Sequence, residues 1–132
     1  MQFLGIDYGK SKVGLALGDD ITKLAFGFKT IKNKGFDELL NELKTIIKQE
    51  EIESAVLGKP VNLKGEDETP GELARLFDAL AEVIEVKWQD ERFSTKQAES
   101  LAKEIPEKRD KVKLVDDKLA AMIILQAYLD KS

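Results

Sequence analysis

Residues 3–18, FLGIDYGKSKVGLALG, constrain this chain more than any other stretch, because two short apolar runs flank a polar turn centred on Gly9. Runs of this length, bounded by glycine and free of helical spacing, read as strands, so residues 2–7 and 12–18 predict a β-hairpin. The first run ends on Asp7. A carboxylate where a buried strand meets a turn must stay in water or find a partner, a proton or a metal, since burying it alone costs several kcal/mol.

The rest of the chain extends that hairpin into a layered α/β arrangement. Residues 24–31, LAFGFKTI, predict a third strand. Phe36, Leu39, Leu40, Leu43, Ile46 and Ile47 recur at three- and four-residue spacing and predict an amphipathic helix covering one sheet face. SAVLG at 54–58 reads as a central strand feeding a polar, flexible loop, KPVNLKGEDE. Thr69, Pro70 and Glu72 form a capping-box pattern ahead of the apolar stripe Leu73, Leu76, Phe77 and Leu80. Residues 82–89 alternate as a half-buried strand, and Ser94 with Gln97 marks a helix through about residue 104. The charged run 107–118 reads as a mobile loop, and KLAAMIILQAYL as a buried helix. The expected architecture is a mixed sheet with helices on its faces.

Composition narrows the chemistry. At 132 residues the chain fits one domain, 1–132, with enough apolar residues (42%) for a core. It has no Cys and no His, which removes thiol catalysis, soft-ligand zinc sites and imidazole bases. Reaction chemistry is left to carboxylates, amines, hydroxyls or bound water. No apolar run reaches the ~20 residues that span a bilayer, and no signal-peptide layout opens the chain, so a cytoplasmic location without membrane contact is expected. The net charge of −4 argues against a strongly basic coat, although cations held by clustered carboxylates reverse a local field.

Three acidic positions stand at element ends: Asp7, the pair Asp90 and Glu91, and the pair Asp116 and Asp117. If the first and last strands lie near each other, these acids converge on the amino end of the last helix. Three oxygen ligands at one point are how proteins hold Mg²⁺, and two such ions activate water and stabilise the leaving oxygen of a phosphodiester. Each acid also fits a structural role. Asp7 could accept hydrogen bonds from the Gly9 turn, Asp90 and Glu91 could pair with Arg92, and either aspartate of the last pair could cap its helix.

Four ordered motifs, FLGIDYGKSKVGLALGD, VLGKPVNLKGEDETPG, WQDERFST and VDDKLAAMIILQAYL, closely resemble the YqgF family. These are the RuvX-like Holliday junction resolvases, also described as nucleases that mature the 5′ end of pre-16S ribosomal RNA. The resemblance runs from residue 3 to about 129. It implies a ribonuclease H-like fold: a five-stranded mixed sheet, three antiparallel strands followed by parallel ones, with helices on both faces. It also implies a nuclease using one or two Mg²⁺ or Mn²⁺ ions, with the acidic site on Asp7, Glu91 and Asp117. The helical face supports Asp117 over Asp116, since Asp117 shares it with Ala120, Ala121 and Ile124.

Lys12, where the family's first motif often carries a basic residue, and Arg92, directly after the central acid, are candidate phosphate contacts, and Lys59 and Asn62 are candidates from their loop above the strand ends, where a substrate backbone could pass; each has a solvated or ion-paired alternative. Lys59, Gly18 and Phe93 depart from the family pattern without touching the acids. The expected function is metal-dependent cleavage of structured nucleic acid, with pre-16S ribosomal RNA first. The alternatives are resolution of four-way DNA junctions, which calls for a homodimer where a monomer suffices for the first, and a nucleic-acid-binding factor without catalysis.

Overall fold

The structure is a computed structural model and describes residues 1–62, 64–91 and 117–131. In chain order the elements are β1 (Gln2–Asp7), β2 (Lys12–Asp19), β3 (Leu24–Lys32), α1 (Phe36–Gln49), β4 (Ser54–Lys59), α2 (Gly71–Ala81), β5 (Glu85–Asp90) and α3 (Asp117–Lys131). The five strands form one sheet in the order β3-β2-β1-β4-β5. The β1/β2 and β2/β3 pairs are antiparallel, while β1/β4 and β4/β5 are parallel. Short turns suffice for the antiparallel pairs, but each parallel pair needs a crossover, which α1 and α2 supply.

Strand alternation divides the core between two faces. Leu4, Ile6, Val13, Leu15, Ala55 and Leu57 pack against Leu39, Leu43 and Ile46 of α1 and against Leu73, Leu76 and Leu80 of α2. On the other face Phe3, Ala16 and Val56 meet Ala121, Ile124, Leu125 and Leu129 of α3. Helices therefore cover both faces, as the sequence predicts. None of the helices in the described residues is long and apolar enough to cross a membrane.

Four local expectations change. The strand predicted from residue 82 begins at Glu85, because the Val83 and Ile84 amides still donate to the Leu80 carbonyl at 2.9 and 3.0 Å. The capping box does not form. Pro70 is the N-cap and supplies no side-chain bond; Thr69 is engaged by Asp67, and Glu72 accepts the Tyr8 hydroxyl at 2.7 Å. The loop after β4, expected to be flexible, is structured: a Val61–Asp67 bridge closes it and the Asn62 side-chain Oδ1 accepts the Lys64 and Glu66 amides. Asp117 and Lys118 belong to α3 instead of the charged loop. The helix expected over 94–104 and the remainder of that loop, 107–116, lie outside the described residues.

Candidate active site

Asp7, Glu91 and Asp117 reach the same end of the sheet by different routes. Asp7 closes the central strand β1 opposite Gly14 of β2. Asp117 opens α3, and its backbone lies against Gly14. Glu91 follows β5 directly and leans over β4: a Cβ on Gly58 would come within 2.7 Å of the Glu91 Oε2. Strand order makes this convergence possible, because only β4 separates β1 from β5. By alternation Asp7 shares the α3 face with Gly5, whose own missing Cβ admits the Ala121 carbonyl and Leu125. Ala121 and Ile124 are fully buried below Asp117, as the helical-face reading expects.

The electrostatics at Asp7 are those of clustered negative charge. Burial, then the nearby Glu91 and Asp117 charges, push the Asp7 carboxyl up to about 7. Burial and Asp90 also raise Glu91. Among the described residues no donor or cation contacts the Asp7 carboxylate, so the turn-bracing role open to it from sequence is not the one it plays. The Gly9 carbonyl is instead held by the Asn33 amide at 2.9 Å. Also among the described residues, no three acidic side chains are arranged around a single ion position.

Residues 1–131 match the family model RuvX, described as Holliday junction resolvase. The chain belongs to the RuvX family. Two RuvX-like relatives, each carrying the name "Putative pre-16S rRNA nuclease", are close over their whole length. The one from Dictyoglomus thermophilum is 38% identical, covering 100% of this chain and 97% of that protein. The one from Caldanaerobacter subterraneus subsp. tengcongensis is 41% identical, covering 98% and 96%. Both the family description and these names denote nucleases, and the chain is a nuclease of this family.

Solved structures fix the fold of this RuvX-family chain as ribonuclease H-like. Thermus thermophilus RuvC bound to a Holliday junction superposes with a TM-score of 0.56 at 16% identity, covering 99% of this chain and 94% of that one. Fowlpox virus resolvase with junction DNA gives 0.61 at 12% identity, covering 99% and 98%.

The other sequence-predicted residues divide by place. Lys12 opens β2 at the acid end and is exposed. Lys59 is already engaged, 3.6 Å from Asp67 and 5.8 Å over the Trp88 ring, and Asn62 is bound into its own turn. Arg92 lies outside the described residues. Sequence reading passed over Gly14, Gly58 and Asn33. Glycines inside otherwise β-branched and aliphatic strands mark close backbone approach, so the first two carried a legible signal. Asn33 carried none, because its role depends on β3 ending beside the Gly9 turn.

Proposed function

We propose that this chain is a divalent-metal-dependent endonuclease of one domain, with Asp7, Glu91 and Asp117 as its acidic centre and the 5′ region of pre-16S ribosomal RNA as its substrate. The observation that carries the reading is Asp7: a half-buried carboxylate raised by burial and then by two further acids, with no contacting cation among the described residues. Three hard oxygen donors without a neutralising lysine at Asp7 have the chemistry of a Mg²⁺ or Mn²⁺ site, and thiolate and imidazole ligands are missing from the whole sequence.

The ion, when bound, supplies an activated water and charge stabilisation at the leaving oxygen. The chain's own part is to hold three carboxylates on rigid elements: a central strand end, a strand exit and a helix start. Apolar packing of Ile124 and Leu125 beneath them limits water on the protein side. The names of the full-length relatives support ribosomal RNA as substrate. The family description supports a second reading, four-way DNA junctions, which requires two sites related by a twofold axis.

The test is cleavage of 5′-extended 16S precursor RNA and of a synthetic four-way junction, each with Mg²⁺, Mn²⁺ or chelator, using wild type and a folded Asp7→Asn variant. Metal-dependent cutting of the RNA, lost in the variant, is expected. Cutting of the junction alone moves the assignment to the second reading, and binding of both without cutting under any metal overturns the bare-enzyme nuclease.

A further inference from the structure

Lys12 and Lys32 are direct partners in the antiparallel β2/β3 register. Both are exposed, and neither makes an ion pair among the described residues. Like charges opposite each other across a ladder are destabilising. Lysine on an exposed edge guards against strand addition, which accounts for Lys32 on the edge strand β3 but not for Lys12 on the inner strand β2.

Alternation puts this pair on the α3 face. Lys12 is two residues from Gly14, which partners Asp7 and lies under Asp117. At a strand spacing of about 4.8 Å, Lys12 stands one strand sideways from Asp7 and Lys32 two. Lys10 and Lys34, both exposed, flank the pair in the adjoining turns. Asn33 binds those turns together through its own amide to the Ser11 carbonyl (2.8 Å) and its side chain to the Gly9 carbonyl (2.9 Å).

The opposite end of the sheet has the reverse sign. There Asp19, Glu50, Glu51 and Glu53 line an open hollow. Among the described residues on the flank beyond β4, Lys59 is already paired with Asp67.

We propose that Lys12 and Lys32, flanked by Lys10 and Lys34, form the track along which the phosphate backbone of the nucleic-acid substrate leaves the carboxylate cluster, passing over the β2/β3 edge. The inference rests on the nucleic-acid reading above and adds a direction to it. A polyanion bridging the pair removes the repulsion that the free protein carries. Phosphate contacts set position and salt dependence and leave sequence unread.

The experiment is fluorescence anisotropy with labelled RNA and DNA of one sequence, in chelator so that nothing is cut, over a KCl series. It compares wild type, Lys12→Gln/Lys32→Gln, and the control Lys44→Gln/Lys48→Gln on the exposed side of α1. Two lost phosphate contacts lower the slope of log affinity against log salt by about 1.4 to 1.8. The double variant is expected to show that drop, at least tenfold weaker binding at low salt and a melting temperature no lower than wild type. The control is expected to bind as wild type does. A loss confined to the RNA arm or the DNA arm identifies which backbone uses the track. An unchanged slope in the Lys12/Lys32 variant, or an equal loss in the control, overturns the track while cleavage in Mg²⁺ still reports on the nuclease reading. Wild type that binds neither nucleic acid also overturns the track, and cleavage in Mg²⁺ then decides the nuclease reading by itself.

Discussion

Gly14 lies so close to the backbone of Asp117 that its missing side chain decides where helix α3 can begin. A Cβ at residue 14 would overlap the Asp117 carbonyl, and the same glycine is the register partner of Asp7. One residue without a side chain thus brings two of the three acids to one place.

Gly14→Ala is therefore expected to push the start of α3 away from the sheet. Overpacking of this kind costs about 1–3 kcal/mol. Thermal unfolding measures that loss, and metal-dependent cleavage by the folded fraction should fall further than the unfolding alone explains. A variant with wild-type melting and wild-type cleavage means that the helix start is not held here.

Asp7→Asn separates stability from activity. Removing a half-buried, repelled charge is expected to raise the melting temperature of the metal-free protein at pH 8, while cleavage falls by about 100-fold or more, the upper end of the loss seen when a mere outer-shell partner of a metal is removed. In wild type, Mg²⁺ or Mn²⁺ should raise the melting temperature and chelator should reverse it; in Asp7→Asn that shift should shrink.

Stability of the metal-free protein should decline as pH rises from about 4 to about 8. Folded Asp7 keeps its proton up to about pH 7, whereas in the unfolded chain it releases it near pH 4. Across that window the folded state binds more protons, so unfolding becomes easier with each step upward, and the contribution present below the unfolded value is gone above the folded one. Glu91, raised in the same direction, adds to the slope. Denaturant midpoints measured in chelator across this range should show the decline, and the Asp7→Asn variant should flatten it.

Asn33→Ala removes the bond to the Gly9 carbonyl and the one its side-chain oxygen accepts from Gly35. The expected loss is about 1–2 kcal/mol, because each such bond contributes roughly 0.5–1.5. Since those bonds hold the turn after Asp7 and its lysines, binding of nucleic acid should weaken in parallel. Full stability with intact binding would show that the backbone bond from Asn33 to Ser11 suffices.

Much of the fold was legible because burial imposes periodicity. The alternating and three- to four-residue apolar patterns placed β1 through β4, α1 and the body of α3 to within a few residues. The capping-box signal at Thr69 failed. Thr69 and Glu72 have the spacing of a capping box, yet Asp67 and Tyr8 compete for them at close range, and hydrogen-bond donors and acceptors go to whichever partner the tertiary structure brings first. The acids were visible as carboxylates at element ends, but Asp7 showed nothing local to separate a metal ligand from a turn brace.

The sequence alone determined the chemical repertoire: oxygen donors and amines, no thiol and no imidazole, on a hairpin whose first strand ends in Asp7. It also determined which faces of the strands and helices are apolar, since that pattern is carried residue by residue. The tertiary structure decided which carboxylates share an end of the sheet, because the order β3-β2-β1-β4-β5 leaves only β4 between Glu91 and the end of β1, 84 residues away in the chain. It likewise decided that Lys12 faces Lys32 and that Lys59 faces Asp67. The physical reason is that charges act through distance in space, and only the pairing of strands converts positions far apart in sequence into neighbours about 5 Å apart.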